Sequence, residues 1–158
     1  MEHVSEEVYM SLSQVFIKKS PWVYHAHAGG CNGCDLEILA CTGPRYDMER
    51  LGIKIVASPR FADILLVTGP VPLHTKPFLE RVYAQTPDPK RVVAMGACGC
   101  SGGILVDDEN YSIAGPVERI IPVTVRIPGC PPKPEAILDG LLKAMRSFQT
   151  SPRREEAR

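Results

Sequence analysis

The sequence contains no long hydrophobic run and no excess of charge of either sign. Its longest apolar stretches, such as Ile64 to Val67, are far shorter than the roughly 20 residues that a transmembrane helix requires. Eighteen basic and eighteen acidic residues give a formal net charge of zero, so the chain lacks the basic surface that attracts nucleic acids or anionic lipids. The sequence therefore predicts neither a membrane-spanning protein nor a nucleic-acid-binding one.

The sequence also lacks a secretory leader, an internal repeat and a nucleotide-binding motif. Its first residues do not combine a charged start, an apolar middle and a small-residue cleavage site, so we expect the chain to stay in the cytoplasm. The glycine-rich stretch Gly96 to Gly103 has neither the spacing of a phosphate-binding P-loop nor that of a dinucleotide-binding turn. Nucleotide binding is therefore not expected.

Cysteines are the feature that the sequence does have. Six of them in a cytosolic chain of 158 residues indicate metal or redox chemistry before structural disulfides. Cys31 and Cys34 form a Cys-x-x-Cys pair after an apolar run, with Gly29, Gly30 and Gly33 around them. By itself the pair is compatible with a zinc half-site, a redox dithiol or an iron-sulfur half-site.

Apolar patterns alternate between the periods of strands and helices along the chain. The length and the 44% of hydrophobic residues suit one domain. Strands are predicted at Trp22 to Ala28, Ile53 to Ala57, Ile64 to Val67, Arg91 to Met95 and Val123 to Ile127. Helices are predicted at Asp35 to Cys41, from Thr75 as the capping residue, and from Pro134 to about Phe148. This alternation predicts an α/β fold, a single domain over residues 21–150 with a mostly parallel sheet and helices on both faces.

The two ends of the chain differ from this pattern. Val4, Val8, Leu12, Val15 and Phe16 recur at helical spacing, so residues 1–20 are predicted to contain an N-terminal amphipathic helix that packs on its own domain or on a partner subunit. Residues 151–158 are charged and predicted to be a disordered tail. The segment 105–118 is predicted to be a weakly ordered loop.

Three predicted strands end just before cysteines. Because parallel strands present their carboxyl ends at one edge of a sheet, we expect Cys31, Cys34, Cys98 and Cys130 to converge there. Four thiolates suit a tetrahedral zinc or a 4Fe-4S cluster, and one Cys-x-x-Cys pair joined by two isolated cysteines favours the larger cluster. Cys41 is interpreted as a small buried hydrophobe. Cys100 is the competitor for the place of Cys98.

Two further groups of residues have alternative interpretations. His25 and His27 point to the same face of a strand, and we favour hydrogen-bonded, half-buried histidines over a metal site. The charge-dense segment Arg45 to Arg50 is either a solvated helical turn or a subunit contact that tunes the site.

From Trp22 to Phe148 the chain resembles the small subunit of membrane-bound energy-converting nickel-iron hydrogenases. That subunit is itself similar to the complex I subunit that holds the terminal cluster N2. The matching stretches are Cys-Asn-Gly-Cys-Asp-Leu-Glu-Ile-Leu at 31–39, Pro-Arg-Tyr-Asp at 44–47, Met-Gly-Ala-Cys at 95–98 with Ser-Gly-Gly at 101–103, and Pro-Gly-Cys-Pro-Pro at 128–132.

The resemblance implies a flavodoxin-like fold and one 4Fe-4S cluster. Cys31 and Cys34 match the first cysteine pair of the family, Cys98 its Gly-x-Cys and Cys130 its Gly-Cys-Pro-Pro. Complex I has two adjacent cysteines in place of Cys-x-x-Cys, so the match leans to the hydrogenase side. Soluble and periplasmic hydrogenases differ by an exported leader and a cysteine-rich C-terminal region.

The resemblance further implies a subunit without catalytic residues of its own. Its expected partners are a nickel-iron large subunit, a ferredoxin-like subunit that supplies electrons, and membrane-embedded subunits, on the cytoplasmic side of the membrane. The alternative is the equivalent subunit of a quinone- or sulfur-reducing complex whose large subunit lacks nickel. A zinc-stabilised interaction domain is the third possibility.

Overall fold

Five short strands form one parallel sheet in the computed structural model, which describes residues 20–106 and 111–150. The strands are β1 (Trp22–His27), β2 (Lys54–Ile55), β3 (Ile64–Thr68), β5 (Arg91–Met95) and β7 (Val125–Ile127), in the spatial order β2-β1-β3-β5-β7. Each neighbouring pair is parallel. Numbered within the sheet alone, this order is 2-1-3-4-5, the flavodoxin-like arrangement. The predicted fold class is confirmed.

The central strand β3 shows why the sheet is so apolar. All five of its residues are buried, because β1 and β5 flank its edges and helices cover both faces. Strand β1 instead alternates, with Tyr24 and Ala26 facing one core and Val23 facing the other. By the same alternation His25 and His27 lie on the face of Val23.

Helices cover the two faces unequally. The helices are α1 (Gly33–Thr42), α2 (Lys76–Gln85), α3 (Gly96–Ser101) and α4 (Pro134–Thr150). Helices α1 and α4 pack on one face through Ile38, Ile137 and Leu141, and α2 packs on the other through Leu79 and Val82. Single 3-10 turns occur at Met48–Leu51, Pro59–Phe61, Gly103–Leu105 and Val117–Arg119. None of the helices in the described ranges is long and apolar enough to cross a membrane.

A second, two-stranded sheet was not predicted. Strands β4 (Val71–Pro72) and β6 (Ile113–Gly115) pair antiparallel beside the main sheet. The sequence signal is weak because the strands are only two and three residues long and Pro72 lies within one of them.

Three local predictions were wrong in detail. The strand predicted from Ile53 to Ala57 pairs only at Lys54–Ile55. The glycine-rich turn after β5 folds as α3. Thr75 lies at the start of α2 as predicted, but its hydroxyl donates to the Pro72 carbonyl at 3.2 Å and does not cap the helix. Local hydrogen-bonding choices of this kind depend on neighbouring loops that periodicity does not reveal.

Some predictions fall on parts of the chain that the structure does not describe. These parts are residues 1–19, 107–110 and 151–158. The predicted amphipathic helix, the predicted disordered tail and the middle of the predicted 105–118 loop therefore lie outside the described residues. The described end of that loop prediction is wrong, because Ile113–Gly115 forms β6 and a 3-10 turn begins at Val117. The division into segments 1–20, 21–150 and 151–158 stays a prediction.

Candidate metal centre

Cys31, Cys34, Cys98 and Cys130 lie around one pocket at the carboxyl ends of the strands. Cys31 and Cys34 follow β1, Cys98 lies in α3 immediately after β5, and Cys130 follows β7. The pocket is lined by these four cysteines together with His27, Gly30, Asn32, Gly33, Asp35, Thr68, Gly69, Ala97, Gly129 and Pro131. The structure therefore brings together the four thiols that the sequence analysis selected.

Two glycines leave open space beside the sulfur atoms of the pocket. Gly96 has a left-handed φ of 82°, and a Cβ atom there would lie 2.8 Å from the Sγ of Cys34. A Cβ atom on Gly103 would lie 3.2 Å from the Sγ of Cys98. A side chain at either position would occupy the space beside a sulfur, so these two glycines keep a cradle open around the thiols.

Backbone hydrogen bonds tie the cysteine-bearing loops together. The Ala97 N–H donates to the Gly129 carbonyl at 2.7 Å, which joins the loops of Cys98 and Cys130. Asn32 adopts a left-handed conformation with φ 64° and its carbonyl accepts from the Leu36 N–H, so the chain turns sharply into α1 between the two cysteines of the pair. The positions of all four thiols are thus set by strand ends and by main-chain contacts.

The thiols also influence one another electrostatically. The pKa of Cys34 is raised to about 11, first by burial, then by the Asp35 carboxylate, and then by Cys98, Cys31 and Cys130. The pKa of Cys98 is raised by burial and then by Cys130 and Cys31. Raised pKa values favour the protonated thiols, so a metal ion or cluster bound by Cys34 and Cys98 would have to displace their protons.

Cys100 occupies a different environment from Cys98. Its thiol donates to the carbonyls of Ala94 at 3.4 Å and Ile127 at 3.6 Å, and it packs against the core on the α2 face. Within the described part of the chain, Cys100 is not one of the residues that line the pocket.

Cys41 is fully buried, as predicted. It belongs to the core between α1, α4 and the sheet, and its thiol donates to the Pro134 carbonyl at 3.6 Å. Burial raises the pKa of Cys41 to about 11, with smaller contributions from Glu37 and Glu135. This cysteine is a packed core residue.

The zinc hypothesis and the iron-sulfur hypothesis require different distances between the ligand sulfurs. Four thiolates on a single tetrahedral zinc would hold their sulfurs about 3.8 Å apart, because Zn–S bonds are about 2.3 Å long. Among the described residues, three ligand atoms within 4.8 Å of one another are supplied by His25, His27 and Asp35, and by no three of the cysteines. The donor set of the pocket, four thiols on glycine-containing loops, is one that a 4Fe-4S cluster uses.

The group formed by His25, His27 and Asp35 was only half anticipated. The prediction of a half-buried, hydrogen-bonded histidine is confirmed for His25, whose Nε2 lies 3.0 Å from the Thr68 hydroxyl and 3.0 Å from Asp35 Oδ1. His27 lies on the same face with Nδ1 2.9 Å from Asp35 Oδ2, but it is exposed, so the predicted half-burial is wrong for this residue. The role of Asp35 was missed. Its position directly after Cys34, at the start of a helix that follows the histidine strand, was the available signal.

The segment around Arg45 lies next to α4. Tyr46 donates a hydrogen bond to Glu135 at 3.1 Å, and the Arg45 guanidinium lies 5.6 Å from the Tyr46 ring. Met48–Leu51 forms a 3-10 turn whose Glu49 and Arg50 side chains are exposed. The interpretation of this segment as a solvated turn fits these contacts, and the subunit-contact interpretation stays a prediction.

The family model of the NADH ubiquinone oxidoreductase 20 Kd subunit matches residues 31–144, a range that contains all four pocket cysteines. The chain belongs to this family. The recognition made from the cysteine motifs is confirmed, and it places this 20 Kd-type subunit among the subunits of oxidoreductase complexes that are related to complex I and to hydrogenases.

Relatives of this 20 Kd-type subunit come from several kinds of complex. The probable membrane-bound hydrogenase subunit mbhJ of Pyrococcus furiosus is 55% identical over 130 residues, which are 82% of this chain and 77% of the relative. Formate hydrogenlyase subunit 7 of Escherichia coli is 50% identical over 129 residues, which are 82% of this chain but only 50% of that protein.

A solved structure provides a third comparison. A chain of the membrane-bound sulfane sulfur reductase, an archaeal respiratory membrane complex, superposes with a TM-score of 0.75 at 38% identity. The match covers 89% of this chain and 76% of that one. Related sequences thus occur in a membrane-bound hydrogenase, a formate hydrogenlyase and a sulfane sulfur reductase, and the last of these shares the fold.

Proposed function

We propose that this chain is the electron-transfer small subunit of a membrane-bound hydrogenase complex. In this proposal Cys31, Cys34, Cys98 and Cys130 hold one 4Fe-4S cluster. The cluster relays electrons from a ferredoxin-like subunit to the nickel-iron site of a partner large subunit. The observation that carries the proposal is the convergence of these four thiols, from three strand ends, on one glycine-lined pocket.

The chain's own residues would hold and shield the cluster. When bound, a 4Fe-4S cluster accepts and donates one electron at a time. Cys34 and Cys98 are half-buried beneath the loops, whereas Cys31 and Cys130 are exposed. The protein therefore encloses one side of the site and leaves the other side open toward a neighbouring subunit.

The surface beside the open side is apolar. Leu36 and Leu39 on α1 are 66% and 63% exposed, next to the Cys31–Cys34 pair. Large apolar side chains that remain exposed beside a functional site indicate a protein interface. We assign this surface to the large subunit, and we propose that the chain reaches the cytoplasmic face of the membrane only through its partner subunits.

A sulfur- or quinone-reducing complex without nickel is the second candidate. The specific observation in its favour is the similarity to the sulfane sulfur reductase chain, which exceeds three quarters of the length of both chains. The pocket of this chain serves both candidates equally, because each requires only that electrons arrive singly at a large subunit.

The cluster itself is tested first. The chain is purified without oxygen, in its native complex, and its iron is measured against the Cys31→Ala variant. In the unaltered complex we expect four iron atoms per chain and visible absorption at about 400 nm that decreases on reduction. A colourless zinc-loaded protein would overturn the proposal.

The complex is identified by its large subunit. A tagged copy of the chain should copurify with a large subunit that contains nickel, and the complex should reduce protons. A nickel-free large subunit that reduces sulfur or a quinone would select the second candidate.

A further inference from the structure

Four side chains meet at the edge of the cysteine pocket, around the carboxylate of Asp35. His25 from β1 approaches Oδ1 at 3.0 Å, and His27 from the same strand approaches Oδ2 at 2.9 Å. The Thr68 hydroxyl, at the end of β3, donates to Oδ1 at 3.0 Å. Both carboxylate oxygens are therefore held by groups on two adjacent strands.

The carboxylate lies where it can act on the cysteine ligands. Asp35 follows Cys34 in the chain, lies in the first turn of α1, and lines the same pocket together with His27 and Thr68. A negative charge placed directly beside a ligand sulfur opposes the addition of negative charge to a cluster bound there.

Two of the groups around the carboxylate, His25 and Thr68, do not cancel its charge. The pKa of His25 is lowered, chiefly by burial, so this imidazole is neutral near pH 7 and serves as an N–H donor. The Thr68 hydroxyl is neutral as well.

We propose that Asp35 is a fixed negative charge that lowers the reduction potential of the cluster. His25, His27 and Thr68 are the positioning residues that keep its carboxylate in place. The inference rests on the proposed function, because it assumes a 4Fe-4S cluster on Cys34 and the other three cysteines. A cluster held there would gain one negative charge for each electron accepted, and the fixed charge of Asp35 would oppose that gain.

The same three residues, His25, His27 and Asp35, could instead bind a metal ion. Two imidazoles and a carboxylate are ordinary zinc ligands, and their ligand atoms lie within 4.8 Å of one another. The Thr68 hydroxyl, however, already donates to Oδ1 of the carboxylate, and His25 Nε2 lies 3.0 Å from that hydroxyl, so hydrogen bonding already involves these groups. The metal is therefore treated as an outcome of the test.

The test compares the midpoint potential of the cluster between the purified unaltered complex and the purified Asp35→Asn complex. Each potential is measured by redox titration followed by paramagnetic resonance. Asp35→Asn removes the charge and keeps the shape. We expect it to keep four irons per chain and to raise the ratio of reduced to oxidised cluster about tenfold at a fixed solution potential. This is the effect of one charge at roughly 10 Å in a medium of effective dielectric constant about 20.

The controls separate charge from structure. Asp139→Asn removes an exposed carboxylate on α4 that pairs with Lys143, and it should leave the potential unchanged. Asp35→Glu and Asp35→Gln lengthen the side chain equally, so the difference between them isolates the charge if Asp35→Asn assembles poorly. His25→Gln and His27→Gln keep the carboxylate and should shift the potential less than Asp35→Asn does.

Each outcome has a distinct meaning. An unchanged potential in a fully loaded Asp35→Asn complex, or equal potentials for the Glu and Gln variants, overturns the inference. Loss of iron in all three Asp35 variants makes the residue a requirement for assembly and also overturns it. If the unaltered complex contains one additional metal ion per chain and the His25→Gln variant lacks it, these residues form a metal site and the inference is wrong. Absence of a cluster from the unaltered complex would instead refute the proposed function.

Discussion

Cys98 and Cys100 differ by two positions in the sequence but have unrelated surroundings. The helix α3 turns successive side chains by about 100°, so two residues apart they point to nearly opposite sides. Cys98 thereby faces the pocket, and Cys100 donates to main-chain carbonyls of β5 and β7. The helical geometry of α3 therefore places Cys98, and not Cys100, at the pocket.

Paired substitutions test this choice. Cys98→Ser should lose or distort the paramagnetic resonance signal of the reduced cluster, because a pocket ligand is replaced by a weaker one. Cys100→Ser should preserve the signal, since its hydroxyl can keep the hydrogen bond to the Ala94 carbonyl. The opposite pattern would exchange the roles of the two cysteines.

The other pocket cysteines are tested against the core cysteine. Replacing Cys31, Cys34 or Cys130 by Ala should remove the cluster, because each removes one of four ligands. Cys41→Ala should keep the full iron content and cost roughly 1 kcal/mol of stability, a typical value for truncating a small core side chain. Iron analysis and thermal unfolding measure the two effects, and a Cys31→Ala protein with four irons would contradict the assignment.

Helix α3 begins at a glycine with a left-handed backbone conformation. Gly96 adopts φ 82°, which lets the chain pass from β5 into the helix without a loop. The same glycine leaves space for the Cys34 sulfur. One position therefore governs both the direction of the element and the room inside the pocket.

Gly96→Ala should consequently damage the site more than it damages the fold. A left-handed alanine costs about 1–2 kcal/mol, and the added Cβ would displace the Cys34 sulfur from which it would lie only 2.8 Å away. Gly52→Ala is the matched control, because Gly52 has φ 83° at the end of a 3-10 turn outside the pocket. Both variants should lose similar stability on thermal unfolding, but only Gly96→Ala should lose iron. Equal iron contents in the two variants would contradict the role of Gly96 in leaving space for the Cys34 sulfur.

At the scale of the whole molecule, the two edges of the sheet present different surfaces. The carboxyl edge presents the exposed Cys31 and Cys130 beside Leu36 and Leu39. Phe61, which is 64% exposed, lies at the opposite edge in the turn before β3 and packs edge-on against Trp22. Only the carboxyl edge combines apolar exposure with the candidate site.

The chain alone is expected to aggregate, because obligate interfaces resemble a core cut in half. Leu36→Glu combined with Leu39→Glu should make the isolated chain more monodisperse on size-exclusion chromatography and prevent its copurification with the large subunit. Phe61→Glu should leave copurification intact. A stable, air-tolerant monomer with an intact cluster, or normal assembly of the double variant, would argue against this surface as the interface.

The sequence alone determined the layers of the fold and the location of the site. Continuous apolar runs such as Ile64 to Val67 require cover on both faces, so strands that alternate with helices must form a parallel sheet. Thiols placed just after such strands must meet at one edge. These inferences depend only on the periodicity of apolar residues and on chain direction, and both can be read from short stretches of the sequence.

The tertiary structure decided what depends on orientation and on contacts between distant segments. The glycine-rich stretch after Met95 contains no apolar periodicity, so its helix, and with it the separation of Cys98 from Cys100, emerged only from packing against β3 and β7. Asp35 meets His25, His27 and Thr68 because α1 folds back over two adjacent strands. No local pattern records such a meeting, since its members are separated by up to 43 residues and are brought together by the sheet register.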